Sequence, residues 1–150
     1  MSRKSQFSKE VLNKMQVKLP ALSVNEAMAR AAVAAFVSQL DPGVTEIADI
    51  KCAVSEAITN CIVHAYGGRG GEIYITVTLY GDRSIRIDIR DKGCGIADVA
   101  LAMQPLFTTD RSGERSGMGF PVMQTFMDTL SVRSRVGVGT KLVMRKKLSA

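Results

Sequence analysis

Two apolar stripes of helical period, followed at once by two runs of alternating residues, set the tightest limit on how this chain can fold. Between residues 45 and 66, Ile47, Ile50, Val54, Ala57, Ile58, Cys61 and Ala65 recur at three- and four-residue steps, which puts them on one face of a helix. Ile73, Ile75, Val77 and Leu79 then alternate with polar residues, as do Ile85, Ile87 and Ile89, the pattern of strands buried on one side. A one-faced helix and a one-faced sheet bury their apolar sides against each other, so the chain folds as two layers.

The remaining segments extend this pattern in both directions. Met15, Val17 and Leu19 alternate with Gln16 and Lys18 and predict a short strand ended by Pro20. Residues 1–12 are polar and aperiodic, a disordered extension ahead of one domain over 13–150. Ser23 and Glu26 have capping-box spacing before a helix over Ala27–Leu40, which Asp41-Pro42-Gly43 stops. The second helix runs from Thr45 to Tyr66 and ends at GGRGG, residues 67–71; Gly81-Asp82 marks a tight hairpin. Ala97–Met103 predicts a short helix, residues 104–116 a polar loop, and Gly117–Met127 a last helix. Leu130–Val132 and Lys141–Leu148 form strands around VGVGT. The order β-α-α-β-β-α-α-β-β places the chain in the α+β class: a two-layer sandwich with a mixed, mostly antiparallel sheet covered on one face by helices.

Composition narrows the function classes. No apolar run reaches the roughly 18 residues that a membrane span needs, and the basic N-terminus has no apolar segment behind it, unlike a secretory signal. Three cysteines in 150 residues, without zinc or CxxC spacing, suit a reducing cytoplasm, with Cys52 and Cys61 as helix-packing thiols. The net charge of +6 is spread along the sequence, and five Phe, three Tyr and no Trp supply few stacking groups. Direct nucleic-acid binding is therefore disfavoured, and an acidic protein partner or a polyphosphate explains the balance at least as well.

Three short stretches carry chemistry. Glu56, Asn60 and His64 stand four apart, opposite the apolar stripe of the long helix; a carboxylate beside a carboxamide suits a proton acceptor next to hard Mg²⁺. The same spacing also describes a solvated helix face. RDKGCGI, residues 90–96, follows a strand directly; it is either a glycine-rich turn or a backbone that approaches something flat and polar, with Asp91 reading it. RSGMGF, residues 115–120, puts a second glycine pair at a helix start, where backbone N–H groups can face an anion.

In order, ExxxN on a helix, DxGxG after a strand, SGMGF opening a later helix and VGVGT before the last strand resemble the ATP-binding domain shared by DNA gyrase, histidine kinases and mismatch-repair ATPases. VSEAITNCIVHAYGG, RDKGCGI, QPLFTTDRSGERSGMGF and AVAAFVSQLDP further resemble the anti-sigma F family of spore-forming bacteria, over roughly residues 13–148. The resemblance implies an ATP-dependent protein-serine kinase, with ATP/ADP and Mg²⁺ as ligands, that inhibits a sporulation sigma factor and phosphorylates its anti-anti-sigma antagonist.

By that resemblance Glu56 is the general base, Asn60 binds Mg²⁺, and Asp91 accepts from the adenine amino group, while Gly93 and Gly95 leave room for the base. Thr140 reaches the same edge. Ser116, Gly117, Met118 and Gly119 hold phosphate, and residues 108–115, with Thr108 and Thr109, form a lid in which Arg115 meets the γ-phosphate. His64 has a structural or supporting role. Arg30, within EAMARAAVAAF, docks both protein partners, and the first strand and helix pair two copies into a homodimer. Three other functions stay open: a nucleotide-gated binding module without kinase activity, a detached histidine-kinase ATPase domain, and a nucleic-acid binder.

Overall fold

The computed structural model describes residues 10–104 and 119–149. Five strands and four α-helices follow one another in the expected order: β1 (Val11–Pro20), α1 (Val24–Val37), α2 (Val44–Thr59), β2 (Glu72–Tyr80), β3 (Ser84–Arg90), α3 (Val99–Ala102), α4 (Phe120–Phe126), β4 (Thr129–Arg135) and β5 (Gly139–Lys147). The strands form one sheet in the order β1-β2-β3-β5-β4. Every pairing among the described residues is antiparallel, so the sheet is not mixed. Two helices lie between β1 and β2, and β2 returns antiparallel to β1.

The core lies between the sheet and the helices. Ile73, Ile75, Val77, Leu79, Ile85, Ile87, Ile89, Leu142 and Met144 face it from the sheet, and Val33, Val37, Ile50, Val54, Ala57, Ile58, Phe120 and Met123 from the helices, all essentially without solvent contact. Each such large side chain contributes about 1.5–3 kcal/mol. Tyr74, Thr76 and Thr78 of β2, Arg86, Asp88 and Arg90 of β3, and Lys141, Val143 and Arg145 of β5 point the other way, onto a sheet face that no described helix covers.

Several boundaries move for identifiable reasons. Val11 and Leu12, expected in the extension, belong to β1: Val11 pairs with Tyr80 across a bulge, and Gly81 N–H donates to the Glu10 carbonyl at 2.9 Å. Ser23 makes no side-chain cap because its backbone is itself helical, at φ −55° and ψ −37°, and the Glu26 carboxylate turns to Ser55 Oγ and Arg30. In α2 only the return half of a capping box is present, Gly43 N–H donating to Glu46 Oε1 at 2.9 Å, whereas α3 has a side-chain cap, Asp98 Oδ1 accepting from Leu101 N–H at 3.0 Å. The β2–β3 turn holds three residues rather than two, with Arg83 at φ 67°. Its guanidinium holds it there, donating to the carbonyls of Leu40 (2.7 Å), Asp41 (3.3 Å) and Ser149 (3.2 Å).

Candidate nucleotide site

The long second helix does not stay α to its end. After Thr59 it widens into a π turn over Asn60–Ala65, a geometry that recurs at functional sites. Glu56 and Asn60 remain one α turn apart, but with i→i+5 bonding His64 no longer falls directly under Asn60. The widened turn frees the Ala65 carbonyl, which accepts from Cys94 N–H at 2.9 Å. In this way the end of the helix is joined to the loop after β3.

That loop holds Asp91 almost fully buried, at 6% exposure. Its Oδ1 accepts from the N–H groups of Gly93 (3.0 Å) and Thr140 (3.2 Å), while Oδ2 lies 3.7 Å from the Cys61 thiol. Burial raises the Asp91 pKa above the usual aspartate value, and the two backbone donors oppose the rise. Burial, then the Asp91 charge, pushes the Cys61 thiol far up, so it stays protonated and able to donate. Cys61 is thus more than a packing thiol.

Asn60, Cys61, His64, Asp91, Gly95, Ile96, Phe120 and Thr140 line one cleft between the π turn and the sheet. Its lining is mainly apolar, with Asn60, His64, Asp91 and Thr140 as polar members, a lining suited to a flat heteroaromatic base. Thr140 is held in place by a 2.7 Å hydrogen bond between its hydroxyl and that of Ser134, which also accepts from Ile96 N–H at 2.7 Å.

The glycines do something other than leave room. A Cβ on Gly93 would strike the Ala65 carbonyl, and one on Gly95, at φ 76°, the Arg135 carbonyl. The space their absent side chains free is filled by the chain's own backbone, which fixes the loop between the π turn and the β4–β5 hairpin. Gly119, at φ 65°, caps α4, and a Cβ there would strike the Glu56 carboxylate. Glu56 therefore stands against the start of α4.

Of the expected site residues, Glu56, Asn60, Asp91, Gly93, Gly95, Gly119 and Thr140 are brought together here. Thr108, Thr109, Arg115, Ser116, Gly117 and Met118 lie outside the described residues. Arg30 is elsewhere, on α1, where its Nη1 lies 3.3 Å from both Glu26 Oε1 and Ser55 Oγ. Two contributors were missed, Ser134 and Tyr66. The Tyr66 hydroxyl donates to the Glu72 carbonyl (2.6 Å) and accepts from Lys92 N–H (2.7 Å). Neither carries a sequence signal, since both act through loops distant in sequence.

The model of the histidine kinase-like ATPase domain matches residues 13–146. Anti-sigma F factors from Caldanaerobacter subterraneus and Clostridium acetobutylicum are 56% and 49% identical to this chain over 137 residues, each alignment covering 91% of this chain and 95% of the relative. The chain belongs to the anti-sigma F factors, within the histidine kinase-like ATPase domains. A solved structure of the RsbU and RsbW domains of a Mycobacterium tuberculosis protein superposes with TM-score 0.67 at 19% identity, over 92% of this chain and 33% of that one. The α+β fold is that of this family, and an ATPase domain of this type implies nucleotide binding. Among the described residues no helix is long and apolar enough to cross a membrane.

Proposed function

We propose that the protein is an anti-sigma factor that inhibits a sporulation sigma factor and, with ATP, phosphorylates a serine of that factor's anti-anti-sigma antagonist, as a cytoplasmic homodimer. The observation that carries the nucleotide part is Asp91: one carboxylate oxygen is saturated by two backbone donors, and the other is left toward the cleft with only a weak thiol donor. A buried acceptor of this kind suits the exocyclic amino group of adenine. Thr140 lines the same wall and can meet the same edge.

No group of three or more His, Cys, Asp or Glu among the described residues is placed to hold a metal. Mg²⁺ prefers few protein ligands, and Asn60 would be the residue that holds it here through its side-chain oxygen. When bound, Mg²⁺ neutralises the phosphate charge. Glu56, one turn from Asn60, takes the proton of the attacking serine hydroxyl as its oxygen bonds to the γ-phosphorus and the bridging oxygen departs with ADP. Gly119, with Ser116, Gly117 and Met118, supplies phosphate-facing amides; Thr108, Thr109 and Arg115 belong to the lid, with Arg115 on the γ-phosphate.

The protein-binding part is supported by α1. Val24 and Met28, one turn apart on α1, are 77% and 56% exposed, and Leu22 just ahead of the helix 52%, an apolar patch on the helix that also carries Arg30. β1 is a sheet edge, open to pairing with a second copy.

The test is Glu56→Gln. It should bind ATP and sigma factor as the parent does, and transfer phosphate to the antagonist serine at least about 100-fold more slowly. Unchanged transfer removes Glu56 from the mechanism. No transfer by the parent chain leaves a nucleotide-gated binding module.

A further inference from the structure

The basic residues that look dispersed in the sequence converge on the uncovered sheet face. The registers place Lys18 opposite Tyr74, Tyr74 opposite Arg90, Arg90 opposite Lys141, and Lys141 opposite Arg133. One transverse row thus crosses all five strands and holds four cations and a tyrosine. Four residues away a second row reads Lys14, Thr78, Arg86, Arg145 and Thr129. The row between them carries one charge, Asp88, bonded to Arg86 (2.7 Å) and 3.7 Å from Lys141. Lys18 meets Glu72 at 3.4 Å.

Like charges directly opposite on neighbouring strands are destabilising, and Arg90, Lys141 and Arg133 form such a triplet with all three exposed. The fold would be relieved by an anion laid along the row. Interstrand spacing of about 4.8 Å makes the five-strand row roughly 19 Å long, the length of a helix of about 13 residues. Helix side chains three or four apart stand about 5–6 Å from one another, close to the strand spacing, so a carboxylate every three or four residues meets the row cation by cation. Nucleic acid fits less well: Tyr74 is the row's sole aromatic, and Arg90 and Lys92 already lie 4.6 and 5.2 Å from its ring centroid, so the row offers bases no free stacking platform.

We propose that this open sheet face is a docking surface for an acidic helix of a protein partner, laid across the strands along the Lys18–Arg133 row. It lies on the side of the sheet away from the nucleotide cleft and does not depend on the function of that cleft.

The probe is a labelled 16-residue helical peptide with Glu at every third or fourth position, measured by fluorescence anisotropy against the full chain. Arg133→Gln/Lys141→Gln should weaken its binding about tenfold or more. The charge-matched control Lys51→Gln/Arg69→Gln should change it by less than about twofold, and a peptide with Gln for Glu should not bind. At low salt, without peptide, the row variant should melt at a higher temperature than the control, because the opposed charges are gone. Equal weakening in both variants, no binding of the acidic peptide, or tighter row-dependent binding of a single-stranded oligonucleotide would each overturn the proposal.

Discussion

Two glycine-rich stretches, GGRGG after the π turn and DKGCG after β3, look alike in sequence and act in opposite ways. In the first, Gly67, Gly68 and Gly70 have φ of 56°, 76° and 85°, and a Cβ on any of them would meet nothing within 4 Å. In the second, added Cβ atoms would strike the carbonyls of Ala65 and Arg135. At Gly67, Gly68 and Gly70 glycine serves backbone conformation alone, and at Gly71 it makes room for the Tyr66 ring; in the second stretch it permits close backbone approach. Only the second kind of loop holds a buried carboxylate at a fixed position in a cleft.

The comparison breaks most easily at Gly95, where both demands coincide. Gly95→Ala combines a strained positive φ, about 1–3 kcal/mol, with overpacking of similar size against backbone. We expect a loss of about 3 kcal/mol or more in urea unfolding, and nucleotide affinity falling with it because Asp91 is displaced. A variant with parental stability would mean that the loop is not clamped between the π turn and the β4–β5 hairpin.

Asp91 sharpens the same contrast at smaller magnitude. Asp91→Asn exchanges an acceptor for a partial donor and should weaken ATP binding by roughly 1–3 kcal/mol, read by calorimetry. The pH dependence has a definite sign. Burial raises the carboxyl pKa in the folded protein, so this group's contribution to stability is largest at low pH and is lost as pH rises through that raised pKa. Nucleotide affinity moves oppositely, because the adenine amino group needs the carboxylate: it should fall up to about tenfold per pH unit below the raised pKa. That decline should begin at a higher pH than an exposed aspartate would give, and be absent in Asp91→Asn. Cys61→Ala, which removes a donor that lowers this pKa, should move the decline to higher pH still. An ATP affinity indifferent to Asp91→Asn would show that the adenine contact is made elsewhere.

What the sequence discloses and what it hides divide along the same line. Alternation in β2 and β3 and the stripe of α2 give the element order and the two layers, because each is local and repeats. The pairing of Glu56 with Asn60, and of Asp91 with its glycines, is legible through spacing. The π turn is not: Ile58, Cys61 and Ala65 keep an ordinary helical period, and the widening is supported from outside, by Cys94 N–H on the Ala65 carbonyl. Ser23 and Glu26 have perfect cap spacing, yet Ser55 and Arg30 compete for the glutamate. The cationic rows are likewise invisible until strand register sets Arg90, Lys141 and Arg133 side by side. Tertiary neighbours decide each of these cases.

The smallest expected effect belongs to the open stretch. Gly68→Ala, at φ 76° with free space around the new methyl, costs only the left-handed strain of about 1–2 kcal/mol. The stiffer unfolded chain offsets about 0.4–1 kcal/mol of it. A net loss of about 1 kcal/mol should lower the melting temperature by roughly 2–4 °C and leave ATP affinity within about twofold. Gly68→Asn should lose less than Gly68→Ala, since asparagine tolerates positive φ. If Gly68→Ala were as damaging as Gly95→Ala, GGRGG would have to be covered by something beyond residues 10–104 and 119–149, and the difference between the two loops would then lie in what packs on them and not in what each glycine permits.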